Sequence, residues 1–366
     1  MGNIFWIIIV VGLLCLLQVR YYSSVGFKKL SYRRAISRKS VFEGDKLEMI
    51  ETLVNKKLTP LPWVRVESKI SKWLRFKNTE NLDIADERFH KSVFFMNGYS
   101  KITRRHEVRC LRRGYYDLSN TSVTIGDMFG MNSIGKEYTG DAKLFVYPRL
   151  LDSDALSNDA LKWQGDVAVK RWILPDPMLV NGIREYQSGD NMRDIHWKAS
   201  ARTGELQVKT HDYTCSPRVM IVLNCEPEDN FWGYLTEEQA ESLEGSLRIV
   251  ATFAHWAVHS GIDVGFYTNG MNALNPKEPI GLNANCSESH LESIFQILAA
   301  LVIKQNETIH QTLDRMMEDR VSNCDIMVLS TFWNEQLEKR ADHLRSNTNT
   351  VTHIPIRREV IDFEVQ

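Results

Sequence analysis

The sequence lacks an excess of charge of either sign. Its 366 residues include 45 Lys and Arg against 46 Asp and Glu, which gives a formal net charge of −1. Proteins that bind nucleic acid through bulk charge carry a clear excess of Lys and Arg, so that class of function is excluded. With 43% hydrophobic residues, the chain can bury a substantial core and is long enough for two or more domains.

The sequence also lacks the cysteine spacings of metal and disulfide sites. Its six cysteines are scattered, none forms a C-x-x-C pair, and no His and Cys spacing resembles a zinc site. A G-x-x-x-x-G-K-[ST] phosphate loop is missing as well, so we expect no ATP hydrolysis by the chain itself. We therefore predict free thiols in a reducing compartment and no cofactor.

One long hydrophobic run is present, at residues 4–19 (IFWIIIVVGLLCLLQV). It is uncharged and close to the roughly 17 residues that a membrane-spanning helix needs, which predicts a single transmembrane anchor at residues 1–20. A cleaved signal peptide is the alternative. Residues 20–39 carry seven Lys or Arg and no Asp or Glu. Because positive residues stay on the cytoplasmic side, we predict a basic juxtamembrane linker at residues 21–40 and a cytoplasmic main body at the cell membrane.

Residues 41–150 show the pattern of short strands separated by turns. Segments such as PWVRVES and SVTIGD alternate apolar and polar residues, and Gly next to Asp or Asn separates them. The pattern predicts an antiparallel β-sandwich of the Ig-like kind.

Residues 218–366 show a different period. Apolar runs suited to buried parallel strands occur at 218–224, 263–270, 325–330 and 350–356, and helical patterns separate the first three. This order predicts a doubly wound α/β domain, in which ligands bind beyond the carboxyl ends of the strands. The chain as a whole is thus predicted to be an α+β multidomain protein.

Between these regions, residues 151–217 contain a dense stretch of charged and aromatic side chains, REYQSGDNMRDIHWKASARTGELQVKTHD at 184–212. Asp190 is placed as the N-cap of a helix that ends at Gly204. On that helix Arg193 and Trp197 are four residues apart, which predicts a cation–π contact between them.

The same stretch supplies no evident nucleophile with a base and an orienting third group. A structural or partner-binding role is therefore favoured over catalysis. Two alternatives remain open: an envelope-associated hydrolase or transferase that uses His196 or His211 as a base, and a structural envelope protein that associates with itself.

At these residues the chain resembles the bacterial domain of unknown function 58 (DUF58) family, whose pattern is approximately R-E-Y-x-x-G-D-x-x-R-x-I-x-W-x-x-x-A-R-x-G-x-L-x-V. Earlier segments such as VFEGD and FVYPRLLD are similar to that family as well. The matching residues are Arg184, Glu185, Tyr186, Gly189, Asp190, Arg193, Ile195, Trp197, Ala201, Arg202, Gly204, Leu206 and Val208.

The resemblance implies that residues 218–366 form a domain similar to a von Willebrand factor type A domain. Such domains bind a divalent metal through an Asp-x-Ser-x-Ser motif after the first strand. Here Asn224, Glu226 and Glu228 stand in those three positions. We interpret them as a degenerate site and expect no bound metal.

The resemblance also implies a function and a partner. Members of the family are commonly associated with MoxR-type AAA+ ATPases, which act as chaperones for other protein complexes. We therefore expect a membrane-anchored, non-enzymatic adaptor or scaffold that works with such an ATPase and its client proteins.

Overall fold

The computed structural model describes residues 2–77, 82–83, 88–128, 130, 132–151, 180–187, 192–211 and 218–356. By its internal contacts the chain divides into two compact units. The first comprises Met1–Arg149 and Leu298–Ala300, and the second comprises Leu150–Ile297 and Leu301–Gln366. Each unit is described by itself.

The first unit begins with the helix α1, Gly2–Val25, which contains the hydrophobic run. Most of its large apolar side chains are exposed, among them Trp6, Leu14 and Leu16. Within the part of the chain that the structure describes, no helix combines the length and the apolar character needed to cross a bilayer, so the predicted span is not supported.

Twelve described strands follow in the first unit. They form three sheets with the orders β1-β3-β8-β5, β11-β10-β4-β7-β6 and β2-β12-β9, and their pairs are antiparallel except for the parallel pair of β2 and β12. The strands are β1 Leu30–Ile36, β2 Ser40–Phe42, β3 Lys46–Asn55, β4 Leu61–Ile70, β5 Leu74–Phe76, β6 Leu82–Asp83, β7 Arg88–Met96, β8 Ser100–Cys110, β9 Gly114–Asp117, β10 Asn120–Gly126, β11 Ser133–Thr139 and β12 Lys143–Tyr147.

Alternating side chains build the core of this unit. In β3 every second residue is buried, as expected for a strand with one face on a core. Leu53 of β3 packs in one cluster with Val64 of β4, Phe94 of β7 and Val123 of β10, so the first two sheets share a core. The antiparallel prediction for residues 41–150 is thus confirmed at the level of strand pairing.

The predicted basic linker at residues 21–40 is partly a strand. β1 pairs along its whole length with β3, and Arg34 of β1 is buried. Its guanidinium donates to Glu51 at 2.8 Å, to Ser68 at 2.8 Å and to the Leu118 carbonyl at 3.1 Å. The run of basic residues led to the prediction of a solvated linker. The ion pair that buries Arg34 involves a carboxylate far along the chain, so the local sequence does not indicate it.

The second unit holds a five-stranded sheet of order β18-β16-β15-β20-β21, parallel except for β18 at one edge. Its strands are β15 Arg218–Leu223, β16 Asp263–Thr268, β18 Ile280–Asn285, β20 Asp325–Ser330 and β21 Thr350–Pro355. The smaller pairs are β13 Val180–Glu185 with β14 Gln207–His211, and β17 Gly270–Asn272 with β19 Leu301–Gln305.

Five helices are described in this unit, although the last three residues of α4 group with the first unit: α2 Trp197–Thr203, α3 Glu237–His259, α4 Glu288–Ala300, α5 Ile309–Glu318 and α6 Glu335–Ser346. α3 and α5 each begin with a capping box, at Thr236 with Gln239 and at Thr308 with Gln311. The predicted strands at 218–224, 263–270, 325–330 and 350–356 are confirmed, as is the alternation of strand and helix. The residues of the antiparallel β18 and of the pair β17 and β19 were not predicted as strands.

Candidate functional site

The signature segment is an antiparallel pair of strands with a short helix between them. β13 and β14 pair so that Arg184 lies opposite Val208. Between the strands, Met192–Asp194 forms one turn of 3-10 helix, and Ile195 then bridges to Val208. Ile195 and Val208 are both buried, so the segment just before α2 packs against β14 at this point.

The helix begins later than the sequence predicted. Asp190, the predicted N-cap, lies outside the described residues, as does Gly189. Instead His196 caps α2, and its Nδ1 accepts a hydrogen bond from the Ala199 amide at 3.0 Å. A neutral ring that accepts on Nδ1 carries its proton on Nε2, so Nδ1 is not available as a catalytic base. The predicted end of the helix at Gly204 is confirmed, with φ of 78°.

Arg193 and Trp197 do not share a helix face. Arg193 belongs to the 3-10 turn, and the bridge from Ile195 to Val208 interrupts the helix between them. The two residues therefore do not lie on one continuous helix, because the bridge to β14 outweighs local helix propensity, and the cation–π contact between them stays a prediction. The side chains of Arg193 and His211 lie outside the described residues.

Ser200 fastens the helix to β14. Its hydroxyl donates to the His196 carbonyl at 3.1 Å and accepts from the Gln207 amide at 2.9 Å. The His196 amide in turn donates to the Gln207 carbonyl at 2.7 Å. These bonds define the position of α2 without requiring any of its side chains to be packed.

α2 contains no buried residue. Trp197 is 67% exposed and Met192 is 69% exposed, and Ile183 and Leu206 are exposed as well. Isolated helices this short are marginal in water, so capping and the Ser200 bonds account for the stability of α2. Its tryptophan is consequently available to a partner and contributes little to a core.

The charged residues of the signature are at the surface. Lys198 and Arg202 are both exposed and lie four residues apart on α2, where side chains are neighbours. Glu185 and Ala201 are exposed, and the Arg184 guanidinium donates to the Glu185 carbonyl at 3.1 Å.

Tyr186 is half-buried, and its amide donates to the Leu206 carbonyl at 2.9 Å. The signature therefore combines a framework of hydrogen bonds, most of them to the backbone, with an outer face of apolar and basic side chains.

A second polar cluster lies where the parallel strands end. The Asn224 side chain donates to Ser330 Oγ at 2.9 Å, and its Oδ1 accepts from Asn269 Nδ2 at 2.8 Å and from the Glu226 amide at 3.0 Å. Asn224 follows β15, Asn269 follows β16 and Ser330 ends β20, so one side-chain amide connects three strand ends. Asn269 was missed in the sequence, although its position directly after a parallel strand is a usable signal.

Glu226 is completely buried in this cluster. Among the described residues, neither of its carboxylate oxygens has a hydrogen bond of normal geometry. Burial raises the pKa of this carboxyl to about 7, although the Ile309 amide and the Asn269 side chain lower it, and the charge of Asp229 adds to the rise.

Asp229 connects the loop after β15 to two helices. Its Oδ1 lies 2.8 Å from Nε2 of His310 on α5, and its Oδ2 accepts from Nδ2 of Asn334, the N-cap of α6, at 2.8 Å. The sequence analysis did not identify Asp229 or His310, because the two residues are distant along the chain.

These residues do not fit the divalent metal site that the resemblance implies. Glu226 is buried and Glu228 is exposed, and the Asn224 oxygen already accepts two hydrogen bonds. In the described ranges no group of three or more His, Cys, Asp or Glu could hold a metal ion. A carboxyl whose pKa is raised is moreover a poorer ligand, because it must lose its proton to bind a metal.

Comparison with solved structures gives low similarity. A non-cellulosomal cohesin from the archaeon Archaeoglobus fulgidus is 10% identical, with 35% of this chain and 97% of the cohesin covered and a TM-score of 0.22. BslA, a bacterial hydrophobin, is 12% identical, with 34% and 97% covered and a TM-score of 0.21. Scores of this size carry no argument about fold.

Sequence comparison is more informative. The uncharacterized protein YeaD of Bacillus subtilis (strain 168) is 22% identical over 259 residues, which are 71% of this chain and 58% of YeaD. The chain therefore spans less than two thirds of the length of that relative. Residues 182–360, which begin within β13 and extend past the end of β21, match the family described as Protein of unknown function DUF58.

Proposed function

We propose that this protein is a non-enzymatic, membrane-associated adaptor that binds a MoxR-type AAA+ ATPase through the signature segment. The observation that carries the proposal is α2, a helix with no buried residue and a tryptophan that is 67% exposed. Exposed tryptophans are enriched among the residues that dominate the binding energy of protein interfaces. Residues 182–360 match DUF58, and the choice of partner rests on what the resemblance to that family implies, an association with such ATPases.

The side chains around Trp197 indicate the chemistry of the partner surface. Lys198 and Arg202 on the same helix are exposed, and so is Met192 in the 3-10 turn before it. A complementary surface would offer an apolar pocket for the indole ring and carboxylates for the two cations. We therefore expect the ATPase to present an acidic, partly apolar face to α2.

The membrane location is part of the proposal. The exposed apolar side chains of α1 favour contact with lipid over contact with water, and the main body would lie in the cytoplasm. For the fold, we propose that the first unit is a β-sandwich of the Ig-like kind. The parallel sheet with the antiparallel edge strand β18 would be a von Willebrand factor type A-like domain.

A non-enzymatic role agrees with the state of the candidate bases and nucleophiles. The Nδ1 atom of His196 is engaged in capping α2. Cys225 is buried, and its Sγ lies 3.6 Å from the Thr268 hydroxyl. A capping hydrogen bond and a thiol–hydroxyl contact are not the nucleophile and base pair that covalent catalysis needs.

The chain offers a matched control for the test of the adaptor role. Trp232 is 66% exposed, almost the same as Trp197, but lies in the loop between β15 and α3. We expect Trp197→Ser to weaken binding to the purified MoxR-type ATPase of the same organism about 30-fold, the size of a typical hot spot. Trp232→Ser should leave the dissociation constant unchanged.

Calorimetric titration of the full-length chain with the ATPase measures both constants. Equal affinities for the wild type and the Trp197 variant would exclude the signature helix as the interface. Absence of binding by the wild type would exclude the adaptor role itself.

A further inference from the structure

At one end of the first unit, several loops lie around the C-terminal end of α1. In one sheet Leu30 of β1 lies opposite Asn55 of β3, which lies opposite Ser100 of β8. In the neighbouring sheet Leu61 of β4 lies opposite Met96 of β7. The loop at residues 56–60, the turn at residues 97–99 and the end of α1 therefore meet at the same end of the unit.

Hydrogen bonds hold these segments together. The Tyr21 hydroxyl lies 2.7 Å from the Thr59 hydroxyl, and the Lys57 ammonium donates to the Val25 carbonyl at 2.9 Å at the end of α1. The Tyr99 amide donates to the Lys57 carbonyl at 2.9 Å. Asn132, in the connection after β10, donates to the Ser23 hydroxyl at 3.0 Å. The end of α1 and its surrounding loops thus form one connected surface.

Three large apolar side chains project from this surface. Leu58 is 78% exposed, Tyr99 is 73% exposed and Met128 is 65% exposed. Tyr99 has φ of 49°, a left-handed conformation that is unfavourable for a tyrosine and uncommon outside constrained sites. Nothing in the packing of the core requires any of the three side chains at these positions.

The surface is also positively charged. Lys28, Lys29, Lys56 and Lys101 are all exposed there. The segments 26–30, 55–60 and 97–102 that carry them contain no Asp or Glu. Apolar tips surrounded by lysines are the combination that binds an anionic lipid surface, because the tips enter the interface while the ammonium groups meet headgroups.

We propose that this end of the first unit, here called the lysine collar, rests on an anionic lipid bilayer, with Leu58, Tyr99 and Met128 in the interfacial layer. The proposal rests on the membrane location within the proposed function and adds a defined contact to it. The apolar side chains of α1 continue directly from the collar, so lipid would cover both. A symmetric contact with a second copy would instead place lysines against lysines, which is unfavourable.

The test separates the charge of the collar from the hydrophobicity of α1. Full-length protein is partitioned by flotation into vesicles of phosphatidylcholine alone and of phosphatidylcholine with phosphatidylglycerol, and the ratio of the two partition coefficients is taken. α1 affects both coefficients similarly, whereas the lysines affect mainly the second. For Lys29→Gln, Lys56→Gln and Lys101→Gln combined, we expect the ratio to fall roughly 100-fold, at about fivefold for each lysine.

Three exposed lysines at the opposite end of the same sheet provide the control. Lys39 follows the end of β1, Lys46 begins β3 opposite Arg109, and the Lys77 amide bonds to the Glu107 carbonyl near the end of β8. Changing all three to Gln removes the same net charge and should leave the ratio unchanged. A fall of equal size in the control would mean that net charge, rather than the collar, attracts the protein to the vesicles.

The remaining outcomes are distinct. If the wild type enters both kinds of vesicle and the collar variant keeps the wild-type ratio, the collar proposal is wrong and the membrane location stands. If the wild type enters neither, both are wrong, while the ATPase interaction is decided by its own titration. If the collar variant changes the mass of the protein in light scattering and not the ratio, the occupant is a second copy.

Discussion

At the scale of single residues, two buried ionisable sites allow predictions about stability. Arg34 and Glu51 form an ion pair in the first unit, and Glu226 is buried in the second. The first group is paired and hydrogen-bonded, whereas the second avoids the cost of burial by keeping its proton. The two cases lead to different expectations.

Arg34→Ala should destabilise the first unit by about 3 to 5 kcal/mol, because it removes the guanidinium from the buried Glu51 carboxylate, which keeps the Tyr32 hydroxyl at 2.7 Å and His106 at 3.3 Å. Arg33, the neighbouring residue on β1, is exposed, and Arg33→Ala should change the free energy of unfolding by less than about 0.5 kcal/mol. Urea unfolding of both variants measures the difference. If both variants lost less than about 0.5 kcal/mol, the buried ion pair of Arg34 and Glu51 would not contribute to the stability of the first unit.

Glu226 predicts a pH dependence of stability. Its pKa is about 7 in the folded protein against an ordinary value of 4.5, so the folded state binds the proton more tightly. The stabilisation is complete below about pH 4.5 and is lost as the pH rises through 7, for a total of about 3 kcal/mol. Glu226→Gln removes this loss, and its stability relative to the wild type should increase from pH 5 to pH 8.

Denaturant unfolding across that range tests the expectation for Glu226. The exposed Glu228, changed to Gln, is the control and should follow the wild type at every pH. If the Glu226 variant ran parallel to the wild type as well, the carboxyl would not titrate in this window.

At the scale of elements, the signature segment illustrates what the sequence can and cannot predict. The end of α2 at Gly204 follows from local chemistry, since a residue in the left-handed conformation ends a helix and glycine adopts it without strain. The start at Trp197 does not, because it depends on the bridge between Ile195 and Val208.

Ser200→Ala should loosen α2 without unfolding the unit. The change removes the hydroxyl that accepts from the Gln207 amide and donates to the His196 carbonyl. We expect a loss of about 1 kcal/mol per bond in the local opening free energy, seen as faster hydrogen exchange of the Gln207 amide. Ser293→Ala, which removes only a bond to Ser289 within α4, should leave that amide unchanged.

At the scale of the whole molecule, the order of helices and strands along the chain could be predicted from the sequence better than the contacts between distant residues. The hydrophobic period correctly separated antiparallel strands before residue 150 from alternating strands and helices after residue 218, because periodicity is a local property. The cluster of Asn224, Asn269 and Ser330 and the burial of Arg34 involve residues far apart in the chain. Sequence patterns alone do not register such contacts.

For the candidate sites too, local patterns were visible in the sequence and contacts between distant residues were not. The signature residues were found from the sequence, while the exposure of Trp197 and the pairing of Asp229 with His310 required the fold. In the function we propose, the signature segment presents Trp197 to a partner. The membrane contact at the lysine collar is a separate claim with its own test.

The most direct measurement is photo-crosslinking with benzoylphenylalanine in place of Trp197, in full-length protein mixed with the purified MoxR-type ATPase. Benzoylphenylalanine in place of Trp232, which is equally exposed, is the control. The account predicts a covalent product with the ATPase from position 197 and none from position 232, as identified by mass spectrometry. Product from position 232 alone, or from neither position while the two proteins still form a complex, would contradict the claim that α2 is the interface.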